Sequence, residues 1–194
     1  MNGFKNKYLA LRHGESKANV AELIISNLTD DINGKYSLTE KGEEQVKISV
    51  EDAKEKGWLN NKTIIYSSPF SRCKRSAEIA KQVLGVKESI HIEDRLKERW
   101  FGAFDKTNTE NYQKVWSIDQ ENKPPIENEE TVESVEKRTM SLVADLEKKY
   151  NNETFLLVSH GDVLQILEAC FSDISARRHR GIKPLQKAEI RALK

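Results

Sequence analysis

Three short stretches bring together groups that could handle a phosphate. Arg12-His13-Gly14 follows the apolar run Tyr8–Leu11. Ser67-Ser68-Pro69 follows Ile64-Ile65-Tyr66, with Arg72 three residues on. Ser159-His160-Gly161 follows Phe155–Val158. Arg12 and Arg72 offer planar forks of N–H donors that match phosphate oxygens. A neutral imidazole can attack phosphorus, and a second, protonated imidazole can bind an equatorial oxygen. Gly14 and Gly161 would let backbone approach the anion closely, and Asn19 could donate to it or orient its loop. A leaving alkoxide also needs a proton. Glu98, in Leu96-Lys97-Glu98-Arg99-Trp100, is the candidate acid if burial and a bound dianion raise its pKa. The chemistry is phosphoryl transfer, in which positioning and charge neutralisation carry most of the catalysis.

The elements that must position these groups are legible from periodicity. Strands are predicted at about 5–12, 64–66, 90–92 and 155–158, and a half-exposed edge strand at 188–193. Between them run amphipathic helices. One starts near Thr39, one carries Cys73, Ala77, Ala80 and Leu84 and ends at Gly85, one spans about 131–149, and one opens at Gly161. Residues 26–37 are polar and read as a loop. Residues 99–130, with Trp100, Phe101, Phe104, Tyr112 and Trp116, read as a lid insertion. The alternation predicts an α/β fold: a three-layer α/β/α domain over 1–194, mostly parallel, with one antiparallel edge strand. Such sheets bind ligands at the carboxyl ends of their strands, where all three stretches fall.

Bulk properties narrow the class. The 194 residues carry a net charge of +1, with 37% hydrophobic and 32% charged residues. No whole-chain field favours nucleic acid or a membrane surface, and no run approaches the ~18 apolar residues of a membrane span. Without a signal-peptide pattern and with two widely spaced cysteines, Cys73 and Cys170, on apolar helix positions, the expected compartment is the cytoplasm. No Cys/His metal spacing is present, and no cofactor is expected. His91 and His179 read as structural or surface residues.

The ordered set Arg12-His13-Gly14-Glu15-Ser16 with Asn19, Leu38-Thr39 with Gly42 and Gln45, Ser67-Ser68-Pro69 with Arg72, Leu96-x-Glu98-Arg99 with Gly102, and Ser159-His160-Gly161 resembles the histidine phosphatase, or phosphoglycerate mutase-like, superfamily. The resemblance covers about residues 5–170. It implies that His13 is the nucleophile and forms a phosphohistidine. Arg12, Arg72 and His160 would complete the phosphate pocket with help from Asn19, and Glu98 would be proton donor and then base, without a metal or dissociable cofactor.

The shared pocket does not separate phosphatase from mutase. Three features favour a phosphatase acting on a small phosphorylated metabolite: the short insertion and tail, Asp162 where the similar mutases more usually carry Asn, and no Trp before Asn19. A cofactor-dependent phosphoglycerate mutase and a non-catalytic phosphoprotein-binding module are the alternatives; the second predicts a lost nucleophile or acid, and both are present. The run Arg177-Arg178-His179-Arg180 suggests that Arg177 and Arg180 could reach a second phosphate or carboxylate on a sugar phosphate or bisphosphate. Monomer and homodimer both remain open.

Overall fold

The computed structural model describes residues 3–193. Five strands form one sheet: β1 (Lys7–Arg12), β2 (Ile64–Ser67), β3 (His91–Ile92), β4 (Thr154–Ser159) and β5 (Ile190–Ala192), in the order β3-β2-β4-β1-β5. β1 pairs in parallel with β4, and β2 with both β3 and β4, while β5 runs antiparallel to β1.

Alternation along each strand sends its side chains to opposite faces. Leu9, Leu11, Ile65, Leu156 and Val158 face α2 (Glu40–Glu55) and α3 (Ser71–Leu84), where they meet Val46, Val50, Ala77 and Ala80. Tyr8, Phe155 and Leu157 face α5 (Val132–Lys149) and α6 (Gly161–Phe171), meeting Leu142, Leu146, Leu167 and Phe171. The expected three layers and antiparallel edge strand are therefore present.

Helix boundaries follow local chemistry. The Thr39 hydroxyl accepts from Gly42 N at 3.0 Å and opens α2. Gly85, at φ +71°, closes α3 in a left-handed cap. Residues 26–37 depart from the expected loop, since Leu28–Gly34 forms a 3-10 helix. The departure has a purpose. Asp31 leaves that turn to cap α3, accepting from Ser71 N at 2.5 Å and Ser71 Oγ at 2.7 Å, because Phe70 at the N-cap has no oxygen to offer.

A short helix, α1 (Lys17–Val20), follows β1, and residues 99–130, the expected insertion, comprise short 3-10 turns and α4 (Tyr112–Glu121). Ile24, Phe101 and Val115 form its own small core, flanked by Phe104 and Tyr112. Asp105 fastens it further by accepting from Ser26 N at 2.6 Å and Ser26 Oγ at 2.7 Å. Among the described residues, no helix is long and apolar enough to cross a membrane.

Candidate active site

The order β2-β4-β1 sets three neighbouring strand ends side by side. His13 follows β1, His160 follows β4, and Arg72 sits in the first turn of the helix after β2. With Arg12, Asn19, Glu98 and Gly161, two of these groups, His13 and Arg72, line one cavity of about 410 Å³. His160 lies fully buried against its floor, Nδ1 3.1 Å from Arg72 Nη2 and 3.3 Å from Glu98 Oε2.

The backbone at His13 is held from both sides: its N–H donates to Ser159 O at 3.1 Å, and its carbonyl accepts from Ala188 N at 3.1 Å. Nδ1 lies 2.8 Å from Gly14 O. A carbonyl only accepts, so Nδ1 carries the proton and Nε2 is the unprotonated nitrogen. Arg72 Nε donates to that Nε2 at 3.2 Å. Burial, then the charges of Arg72 and Arg12, hold the His13 pKa well below its usual value, so the ring is neutral at physiological pH.

His160 is also held neutral, by burial and by Arg72. The expectation of a protonated second imidazole thus fails for the site as it stands, because a buried cation beside a guanidinium is disfavoured. Arg72 donates to Nδ1, so Nε2–H points to Ser68 Oγ at 2.8 Å. Ser68 was visible in the sequence only as part of a motif; this bond gives it a part in fixing the tautomer.

Both arginines keep capacity in reserve. Arg72 Nη2 also donates to Ile25 O at 2.9 Å, and Phe70 stacks 4.6 Å from the guanidinium carbon. Arg12 Nη1 donates to Leu185 O at 2.7 Å. Yet Arg12 Nε and Arg72 Nη1 are buried and have no partner. Buried donors are almost always satisfied, and two orphans beside the His13 imidazole are donors that a bound anion could satisfy.

Glu98 is buried, unlike its charged neighbours Glu93 and Arg95, which pair with each other at 2.8 Å. Burial raises its pKa to about 7 against the opposing charge of Arg72, 3.6 Å away. A carboxyl that titrates near neutrality can hold a proton for donation.

The two glycines serve packing more directly than the ligand. A Cβ on Gly14 would sit 2.2 Å from Gly42 O, so the loop after β1 closes directly onto the first turn of α2. A Cβ on Gly161 would lie 3.1 Å from the Arg12 guanidinium carbon; its absence lets Arg12 lie across the start of α6. Asn19 Oδ1 accepts from Ser16 N at 3.1 Å in a capping box, while the residue faces the cavity.

The basic run divides. Arg180 lines the cavity, its guanidinium carbon 3.7 Å from the Trp116 ring centre. Arg177 turns away and pairs with Glu133 at 2.5 Å, so the sequence expectation fails for it: α5 offers it a carboxylate and the cavity does not. His179 is buried, and Nδ1 donates to Ala176 O at 2.7 Å.

Sequence reasoning missed a buried network behind the lid. Arg99 grips Asp119 at 2.6 and 2.8 Å, reaches Asp162 at 3.2 Å and donates to Glu130 O at 2.7 Å. Asp162 also accepts from Trp116 Nε1 at 2.9 Å and lies 3.2 Å from His179 Nε2. Burial alone would raise the Asp162 pKa, but His179 and Arg99 outweigh it and keep the carboxylate ionised. The only signal in the sequence was Asp162 itself, in place of Asn. Among the described residues, no group of three or more His, Cys, Asp or Glu is arranged to hold a metal ion.

A three-layer sheet with paired histidines and arginines at adjoining strand ends defines a phosphoryl-handling α/β enzyme. The chain belongs to the histidine phosphatase superfamily (branch 1), whose family model matches residues 8–194. It is 29% identical over 161 residues to "Uncharacterized phosphatase PhoE" of Bacillus subtilis, covering 81% of this chain and 72% of that one. A phosphoserine phosphatase from Entamoeba histolytica, solved with phosphoserine, superposes with a TM-score of 0.75 at 25% identity, over 96% of this chain and 89% of that one. A mycobacterial glucosyl-3-phosphoglycerate phosphatase shares the fold at TM-score 0.77 and 19% identity, over 96% and 90%. The chain is an enzyme of the phosphoglycerate mutase-like type.

Proposed function

We propose that this protein hydrolyses small phosphomonoesters through a phosphohistidine on His13, without a metal. The observation that carries the reading is the pair of orphaned donors, Arg12 Nε and Arg72 Nη1, beside the unprotonated Nε2 of His13, whose lone pair only Arg72 Nε engages. The His13 lone pair attacks phosphorus, the P–O ester bond breaks, and Glu98 passes its proton to the departing alkoxide oxygen. Glu98, now a carboxylate, takes a proton from water. The water oxygen attacks phosphorus, the P–N bond breaks, and inorganic phosphate leaves with His13 restored. Arg12, Arg72 and the start of α6 bind the equatorial oxygens. A dianion there would raise the His160 pKa and recruit it as a further donor, while Asn19 supports the rim.

Named relatives act on phosphoserine and on glucosyl-3-phosphoglycerate, which supports a small phosphorylated metabolite as substrate. The buried free thiols of Cys73 and Cys170 support a reducing, cytoplasmic setting. The family match over 8–194 supports one folded unit, with residues 99–130 as its lid.

The test is release of p-nitrophenol from p-nitrophenyl phosphate between pH 5 and 8 with EDTA present, a phosphoglycerate mutase assay running in parallel. Turnover by wild type, with an acid-labile phosphoenzyme absent from His13→Ala, is expected. Silence of wild type on this and other small phosphomonoesters would leave a phosphoprotein-binding module, and inhibition by EDTA would point to a metallophosphatase.

A further inference from the structure

The cavity wall formed by α4 and residues 176–181 holds a guanidinium that, among the described residues, has no carboxylate in ion-pair contact. Arg180 lies flat on Trp116, which stacks in turn on Tyr112 with ring centres 5.3 Å apart and planes 7° apart. The Trp116 indole is pinned by its N–H bond to Asp162, so the platform is fixed from behind. All three layers of the stack face the cavity.

What holds Arg180 from the side is an amide. Arg180 Nη1 donates to Gln165 Oε1. Gln165 is fully buried on α6, and its NH2 donates to Ile182 O, which fixes the amide orientation and turns its oxygen toward Arg180. A glutamate there would have cancelled the charge; glutamine positions the guanidinium and leaves the charge intact.

Among the described residues, no carboxylate lies within ion-pair distance of Arg180, whereas Arg75, Arg95, Arg99, Arg138, Arg177 and Arg191 each have one. The nearby carboxylate of Asp162 is already committed to Trp116, His179 and Arg99. Lys187, the cavity's other outer cation, lies 3.5 Å from Glu15, and Glu22 at the exposed rim bonds to neither. Holding a half-buried guanidinium without a counter-ion is unfavourable unless something outside the protein supplies the anion. Arg12 and Arg72 already provide for the transferring phosphoryl group, so this third guanidinium has no task in the chemical step.

We propose that Arg180, held flat on Trp116 by Gln165, is a specificity-determining residue that binds a second anionic group, carboxylate or phosphate, on the alcohol part of the phosphomonoester. This rests on the reading of the site as a phosphomonoesterase. The aromatic wall covers the carbon skeleton between the two anions.

The experiment compares kcat/KM for four esters in wild type, Arg180→Met, Arg180→Lys and Arg177→Met. 3-Phosphoglycerate carries a carboxylate and fructose 1,6-bisphosphate a second phosphate; glycerol 1-phosphate and p-nitrophenyl phosphate carry neither. Wild type should favour at least one anion-tailed ester over glycerol 1-phosphate. Arg180→Met should lower that ratio by at least about tenfold, the scale of one charge-assisted hydrogen bond, and through KM more than kcat. Arg180→Lys should recover part of it, and Arg177→Met should leave it within about twofold. Which tail responds tells carboxylate from phosphate. Binding of the same esters to His13→Ala, followed by calorimetry, should weaken in step when Arg180→Met is added. An unchanged ratio, or equal loss on all four esters, overturns the proposal. Failure of wild type to turn over even p-nitrophenyl phosphate overturns the parent reading instead and removes this one with it.

Discussion

At the strand ends Arg12 and Arg72 each keep a buried guanidinium nitrogen without a partner. Behind α4 the fully buried Arg99 commits its donors to Asp119, Asp162 and the Glu130 carbonyl. The same side chain serves two ends. On the floor, unmet hydrogen-bonding capacity is held ready by rigid neighbours, so an arriving dianion completes an arrangement that is otherwise incomplete. Behind the wall, capacity is met in full, and the result is mechanical: α4 is bolted to the start of α6 and to the residue that follows Glu98. Preorganisation for catalysis and anchoring of the lid are thus separable, and variants should separate them.

The largest effect is expected at the floor. His13→Ala should reduce turnover of every phosphomonoester by at least about a thousandfold, as removal of a nucleophile does, and rapid acid quench should show no phosphoenzyme. Arg72→Ala should cost roughly a hundredfold in kcat, the scale of a lost donor to a developing charge, read in steady-state kinetics. Behind the wall, Asp119→Ala should leave Arg99 partly unpaired and lower stability by about 3–5 kcal/mol, measured by denaturant unfolding. Its kcat on p-nitrophenyl phosphate should fall far less than for Arg72→Ala. Equal losses in the two variants would erase the distinction between floor and wall.

Glu98 links the two regions and gives a smaller, pH-dependent signature. Its folded pKa of about 7 lies above its ordinary value of 4.5. The folded state therefore binds the extra proton between those values, and stability is lost as pH rises through that window. Glu98→Gln should remove this slope and gain Tm relative to wild type at pH 8 compared with pH 5. Its kcat should fall most on esters of high-pKa alcohols, roughly tenfold or more, and much less on p-nitrophenyl phosphate. The depressed pKa values of His13 and His160 act in the opposite direction over an overlapping range: as pH drops below about 6.5 the unfolded chain takes up protons that these rings refuse, which lowers stability and offsets the Glu98 contribution, so Glu98→Gln isolates the latter. The smallest effect is expected of Gly161→Ala, whose methyl would press on the Arg12 guanidinium at 3.1 Å; kcat should drop several-fold with little change in Tm.

The floor was legible in the sequence because its residues sit at strand ends, where the chain's own periodicity marks the position. His13 and His160 come within two residues of apolar runs, Arg72 opens the helix after a third, and the sheet order brings those ends together. The wall was not legible, because its direction-setting partners come from elsewhere in the chain. Arg177 and Arg180 look equivalent in one basic run. Glu133 on α5 draws off the first and Trp116 on α4 receives the second, and long flexible side chains take their direction from such partners. Arg99 was visible only as part of a motif and Asp162 only as a departure from Asn, and nothing local reports that they and Asp119 are buried against one another. Gly14 was read as making room for phosphate, whereas a carbonyl from α2, contributed by Gly42, is what requires it.

The loop carrying His13 is secured by the far end of the chain. Arg12 N donates to Glu189 O, Ala188 N donates to His13 O, and Arg12 Nη1 donates to Leu185 O. On a ribosome, the first strand emerges long before those partners leave the exit tunnel. A nascent chain stalled short of residue 185 would already contain His13, Arg72, Glu98 and His160, with the His13 N–H on Ser159 O, yet it would lack the bonds that residues 185–189 make to Arg12 and to the His13 carbonyl. The reacting centre is therefore braced from both sides only once residue 189 has left the tunnel.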